Sequence, residues 1–76
     1  MFHARADYDR IQDPENKIPE DEPVFLIRGQ DTLGSQVVRE WARLNDLIGG
    51  DPELTKAALN HAARMDDWPF KKRADL

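Results

Sequence analysis

The chain has 76 residues, 39% hydrophobic and 34% charged, which allow one small domain at most. It contains no cysteine, so disulfides and thiolate metal sites are excluded, and its net charge of −4 lacks the basic excess typical of nucleic-acid binding. No stretch reaches the roughly 18 apolar residues of a membrane span. The sequence therefore predicts a cytoplasmic protein with no membrane partner, for which nucleic acid is an unfavoured ligand.

Residues 1–22 are predicted to form an extended, partly flexible acidic arm. Residues 1–31 contain eight acids and four bases, whereas residues 32–76 contain seven of each. The arm has no apolar periodicity, and Asp13-Pro14 is a turn signal. Its carboxylates lack the burial that separates two pKa values for catalysis, so we interpret them as a solvated surface able to meet a basic partner.

One strand is predicted at residues 24–28, which hold the longest apolar run of the chain. A single strand needs a neighbour. Residues 1–6 alternate between apolar and polar side chains and could pair with it, or a second copy of 24–28 could do so across a dimer axis. The small core and the apolar strand edge together predict a homo-oligomer, most simply a dimer.

The first predicted helix covers residues 35–48, with Ser35 as its N-cap. Apolar residues recur at i, i+4, i+7 and i+11 and are predicted to face the core: Val37, Trp41, Leu44 and Ile48. Val38, Ala42 and Leu47 widen this stripe. Gly49-Gly50 is predicted to end this helix through a left-handed cap.

The second predicted helix covers residues 52–67. Asp51 is its N-cap, Pro52 occupies the first helical position, and Pro69 ends it. Its predicted core stripe consists of Leu54, Ala57, Ala58, His61, Ala62 and Met65. The fold class is therefore mainly α: an antiparallel helical hairpin after an arm and a short strand. Within one domain of residues 1–76, residues 23–68 are the folded core and residues 69–76 a basic, solvated tail.

Parts of the sequence resemble a known group of short proteins. The likeness lies in Ile18-Pro19-Glu20-Asp21-Glu22-Pro23-Val24-Phe25-Leu26-Ile27-Arg28-Gly29-Gln30-Asp31, in Val38-x-x-Trp41-Ala42 and in His61-Ala62-x-x-Met65-x-x-Trp68. It covers most of residues 11–68 and is similar to proteins of unknown activity encoded by phages and prophages. Because no activity is established for that group, the resemblance assigns no cofactor and no catalytic residue to this chain. It implies a genomic setting in which small proteins often bind and redirect host machinery, and so a location in the host cytoplasm.

The strand-to-helix segment is the first candidate site. Free backbone N–H groups at a helix start, beside an arginine, can hold a phosphate or carboxylate. Such an anion site would be lined by Arg28, Gln30, Asp31, Thr32 and Ser35. The segment has neither dinucleotide-motif spacing nor a phosphate-loop lysine, so a plain turn followed by a capping serine is the simpler interpretation.

The remaining candidates lie near the end of the second helix. Trp68 either covers the open end of the hairpin or stands exposed as a binding anchor. His61 is predicted to pack on the apolar stripe rather than act as a base, since no acid lies at i+3 or i+4 from it. His3 and His61 have no recognised metal spacing, so no metal site or cofactor is predicted.

No catalytic constellation is evident, so we expect a protein that is not an enzyme. The first hypothesis is a binding protein that docks on a host protein, for example a defence inhibitor of the anti-CRISPR type. The alternatives are an oligomeric binder of a nucleotide or other anionic small ligand, and an accessory subunit of a phage assembly.

Overall fold

The computed structural model describes residues 2–4 and 13–75 of the chain. Its main feature is a pair of packed helices, α1 at Gly34–Leu47 and α2 at Pro52–Asp67. These bounds agree within one residue with the predicted helices, and the helical hairpin is confirmed. Neither helix in the described ranges has the length and apolar content needed to cross a membrane.

Two short strands precede the helices. β1 (Phe2–His3) and β2 (Pro23–Val24) pair in parallel, with Phe2 opposite Pro23 and His3 opposite Val24. The strand is thus shorter than the predicted 24–28, because only its first part meets a neighbouring strand. Of the two pairings that the sequence left open, the structure contains the one with the N-terminal residues.

Residues 13–22 of the acidic arm form a series of turns. Both carboxylate oxygens of Asp13 accept backbone N–H groups, from Lys17 and from Ile18, each at 3.0 Å. Asn16 adopts a left-handed conformation at φ 51°, and the Glu22 N–H donates to the Pro19 carbonyl at 3.2 Å. The predicted turn at Asp13-Pro14 is present. Residues 1 and 5–12 of the predicted arm, which include Tyr8 and Ile11, lie outside the described residues.

The link between the two helices has the glycine turn and the aspartate N-cap that the sequence predicts. Gly49 closes α1 with φ 74°, in the left-handed region that favours glycine, and the Asp51 carboxylate accepts the Glu53 N–H at 2.9 Å as the N-cap of α2. The Asn45 side-chain amide spans the link, donating to the Thr55 hydroxyl at 3.0 Å. These contacts fix the antiparallel course of the hairpin.

The predicted N-cap of α1 is wrong. Leu33, not Ser35, occupies the cap position, and its side chain makes no capping hydrogen bond. The helix begins one residue early because a preceding turn organises the backbone: the Gly34 N–H donates to the Asp31 carbonyl at 2.9 Å, and the Asp31 side chain accepts the Leu33 N–H at 2.8 Å. Ser35 lies inside the first turn.

The predicted core stripe of α1 is correct for Val38 and Ala42, which widen it, and wrong for its four main residues. These four residues, Val37, Trp41, Leu44 and Ile48, are between 45% and 82% exposed. The side of α1 that packs on α2 instead carries small residues, with Gly34 and Ala42 buried and Val38 half-buried. Small side chains allow two helix backbones to approach closely, and this contact turns the larger residues outward.

In α2, too, only part of the predicted core stripe is buried. Ala62 is fully buried, Met65 is 6% exposed and Ala58 is half-buried, whereas Leu54, Ala57 and His61 are exposed. Together with Ala42, these residues form a core of small volume. The predicted packed histidine is therefore on the surface, where its ring is available for contacts outside the hairpin.

Candidate functional site: a basic groove at the end of α2

An open groove lies between the last turns of α2 and the loop that precedes α1. The helix side consists of residues at i, i+3, i+4 and i+7, which share one face: His61, Arg64, Met65 and Trp68. The loop side consists of Arg28, Gly29 and Gln30. The groove has a volume of about 380 Å³, which lies within the range of small-ligand sites. We call these seven residues the basic groove.

The C-terminal tail fixes the loop side of the basic groove. The Lys72 N–H donates to the Gln30 carbonyl at 2.8 Å, and the Thr32 N–H donates to the Lys72 carbonyl at 3.1 Å, so the tail pairs with the loop. The Lys71 ammonium donates to the Gly29 carbonyl at 2.7 Å and also to the carbonyl of Met65. Lys71 and Lys72 thus have structural contacts, which the predicted solvated tail did not include.

Close packing around two glycines determines the shape of the basic groove. A Cβ atom on Gly34 would lie 2.8 Å from both the Arg28 carbonyl oxygen and Met65 Cε, so the start of α1 sits directly on the loop. Gly29 lies against Trp68, since a Cβ atom added to this glycine would be 3.6 Å from the Trp68 Cβ. Met65 connects both contacts and is the buried base of the groove.

Trp68 forms one wall of the basic groove. Its side chain is 52% exposed and meets Phe70 edge to face, with 5.9 Å between ring centroids. The tryptophan therefore contacts the loop on one side while part of it faces solvent. A flat or apolar group entering the groove can pack on this exposed part.

The polar groups of the basic groove suit an anion. Arg28 and Arg64 supply planar guanidinium donors, which match a carboxylate or phosphate in bidentate geometry, and His61 supplies an imidazole nitrogen. Lys71 adds a cation close to the loop wall through its bond to Gly29. The arrangement combines positive charge with an aromatic surface, and it can bind a negatively charged group attached to a flat or apolar one.

Of the six residues that the sequence singled out for binding, three line this groove: Arg28, Gln30 and Trp68. The other three lie elsewhere. Asp31 and Thr32 hold the turn and the pairing with the tail, and Ser35 hydrogen-bonds the Asp66 carboxylate. The start of α1 touches the loop at the Arg28 carbonyl oxygen, whereas the groove lies between the loop and α2.

Sequence reasoning missed Arg64 and assigned His61 to the core. Their spacing could have placed both residues beside Trp68. Arg64 and His61 precede it by four and seven positions, so all three share one helix face. The contact between this face and residues 28–30 has no local signal. It depends on the pairing of Gln30 with Lys72, which are 42 positions apart.

An ion pair joins the two helices beside the groove. The Arg39 guanidinium donates to the Asp66 carboxylate, and this bond, with a second from Ser35, lowers the pKa of Asp66 below its ordinary value of 3.8. The same contact raises the pKa of Arg39. Because both side chains are close to half exposed, solvent screens the pair, and its effect on stability is small.

No group of three or more histidine and acidic side chains within residues 2–4 and 13–75 is arranged to hold a metal ion. In comparisons with protein families, with curated proteins and with solved structures, no significant match to the chain was found. The site's chemistry is therefore the basis of the functional argument.

Proposed function

We propose that this protein is a non-enzymatic binding protein that docks on another protein, and that the basic groove receives an acidic segment of that partner. The observation that carries the proposal is the convergence of Arg28, His61 and Arg64 around the exposed ring of Trp68. Arginine and tryptophan are the residues that most often dominate protein-binding energetics. An aspartate or glutamate beside an apolar residue has the matching chemistry.

The charge distribution supports an acidic ligand. The net charge of −4 lies in residues 1–31, whereas residues 32–76 carry no net charge, so an acidic partner is repelled mainly by the acidic arm. The basic groove is a local exception with two arginines. Such a contrast steers an acidic segment toward one place and disfavours other orientations of the partner.

The open shape of the groove favours a segment of a protein over an enclosed small molecule. The groove is open to solvent along one side, and Phe70, 69% exposed, continues its aromatic surface beyond Trp68. A peptide chain can follow this surface and leave the groove at either end. A ligand buried on most sides would need walls that these residues do not form.

The resemblance to phage- and prophage-encoded proteins favours a bacterial host protein as the partner. Inhibition of a host defence system, in the manner of anti-CRISPR proteins, is one concrete form of this function, carried out in the host cytoplasm. Service as an accessory subunit of a phage assembly is the corresponding form in which the partner is a phage protein.

Affinity capture with matched variants tests the proposal. Tagged wild-type protein, Arg64→Gln and Lys56→Gln are used as baits in bacterial lysate, with and without infection. Lys56 is exposed on α2 and does not line the groove, so its substitution removes the same charge elsewhere. We expect a partner that the wild type and Lys56→Gln retain and that Arg64→Gln loses. Equal capture by all three baits, or no specific partner, would contradict the proposal.

A small anionic ligand is the second candidate, and the volume of about 380 Å³ next to an indole ring favours it. A nucleotide could place its base on Trp68 and its phosphate on the arginines. In Trp41→Phe protein, Trp68 is the remaining tryptophan and reports on the groove. Titration with ATP, with inorganic phosphate and with a short acidic aromatic peptide distinguishes a nucleotide ligand from an acidic protein segment. Saturable quenching by ATP alone supports the nucleotide, and quenching by the peptide alone supports the protein segment.

A further inference from the structure

The side of α1 that faces away from α2 carries an uninterrupted row of large apolar residues. Val37, Trp41, Leu44 and Ile48 are spaced by four, three and four positions, and Leu33 and Leu47 flank them. This is the spacing of the a and d positions of a helix that packs against another helix. We call these six residues the outer face of α1. All six are at least 45% exposed.

We propose that a second copy of this chain covers the outer face of α1, so that two hairpins associate through an antiparallel α1–α1 contact. The proposal is independent of the basic groove, which lies on other elements. It also differs from the dimer expected from the strand, because β2 already pairs with β1 in the same chain.

The outer face of α1 is large relative to the core of the chain, which favours a second copy as its cover. Soluble monomers rarely expose contiguous apolar patches above a few hundred Å². Here the buried apolar residues of the described chain are two alanines and one methionine, whereas six large residues lie on the outer face. Domains of fewer than about 80 residues commonly rely on disulfides, metals or self-association, and this chain has no cysteine.

The charge balance of α1 also favours an identical helix as its partner. α1 contains two arginines and two acids, so it carries no net charge that would repel an identical helix. Glu40, the one acid within the apolar row, is held by Arg43 through hydrogen bonds to both carboxylate oxygens. Arg39 is turned to Asp66 on the opposite side. A neutral rim suits self-association, because any net charge would be doubled at a two-fold interface.

The antiparallel arrangement follows from side-chain size and helix polarity. A two-fold axis between Trp41 and Leu44 places each tryptophan on the leucine of its partner and each Val37 near an Ile48. A parallel pair would place the two tryptophans on each other. Antiparallel helices also align their dipoles favourably, and α1 is about 21 Å long, enough for three turns of contact.

Sedimentation velocity over micromolar to submillimolar concentrations tests the proposal with a matched pair of variants. Leu44 on the outer face is 47% exposed, and Leu59 on α2 is 46% exposed. We expect wild type and Leu59→Glu to reach twice the monomer mass, and Leu44→Glu to bind itself at least tenfold more weakly. A wild-type monomer at all concentrations, or equal weakening by both variants, would overturn the proposal.

A second measurement guards against misfolding of the leucine variant. In Trp68→Phe protein, Trp41 is the remaining tryptophan and lies at the centre of the outer face. Its emission should move to shorter wavelength as concentration rises, over the same range in which the mass doubles. Emission that stays constant while the mass doubles would place the interface on a different surface and would refute the α1–α1 contact. Far-UV circular dichroism confirms that each variant remains helical.

Discussion

The two faces of α1 differ in side-chain size in the direction opposite to what hydrophobicity alone predicts. The inner face, against α2, has Gly34, Val38 and Ala42, and the outer face has the tryptophan, leucines and isoleucine. Both faces are apolar, but only the inner one lets two helix backbones come close. In a short hairpin, the packed face is therefore the one that fits the partner helix. The more hydrophobic face is then left for another surface.

The largest effect is expected from enlarging an inner residue. Ala62 is fully buried, whereas its neighbour Ala63 is exposed. Ala62→Leu should destabilise the fold by about 1–3 kcal/mol through overpacking, and Ala63→Leu should change little. Urea unfolding followed by circular dichroism measures both. Equal midpoints for the two variants would show that the close helix contact is absent.

The second effect concerns the close approach at the start of α1. Gly34→Ala places a methyl group 2.8 Å from the Arg28 carbonyl oxygen and should cost about 1–2 kcal/mol, since a backbone atom cannot easily move away. Gly29→Ala serves as control, because its methyl group would meet ordinary contacts of 3.6–3.8 Å. Thermal unfolding compares the two. A Gly34→Ala protein as stable as Gly29→Ala would contradict the packing described for the groove.

The third effect compares the same residue type on the two faces. Val38 is half-buried on the inner face and Val37 is exposed on the outer face. At concentrations low enough for a monomer, Val38→Ala should cost about 1 kcal/mol of lost burial. Val37→Ala should be close to neutral because alanine favours helix. Urea unfolding gives the free energy of unfolding of both variants. A larger loss of stability for Val37→Ala than for Val38→Ala would show that Val37, not Val38, is on the packed face.

The smallest effect is the pH dependence of the Arg39–Asp66 pair, which joins the helices at the edge of the inner face. Because folding lowers the pKa of Asp66, its contribution is present above the ordinary value of 3.8 and is lost as pH falls through the folded value. The difference in free energy of unfolding between wild type and Asp66→Asn should therefore become smaller as the pH falls below about 4. A difference that grows in acid would contradict this sign.

The candidate site was only partly predictable. Residue type and position single out Arg28, Gln30 and Trp68 as candidate binding residues, and the sequence places Arg28 and Gln30 beside the start of α1. The loop also lies against α2, because residues 71 and 72 bind it through Lys71 Nζ and backbone pairing. Such long-range contacts leave no periodic trace, so His61 and Arg64 could not be joined to Arg28 from the sequence.

Elements with local signals could be predicted from the sequence. The Asp51 cap, Pro52 and the glycine pair define the link, and helical periodicity predicts both helices to within one residue, because these signals act within one or two turns of backbone. The tertiary structure selects which part of each predicted apolar stripe is buried. Two faces of α1 are apolar, and the choice between them depends on how closely the small residues of α1 and α2 can meet.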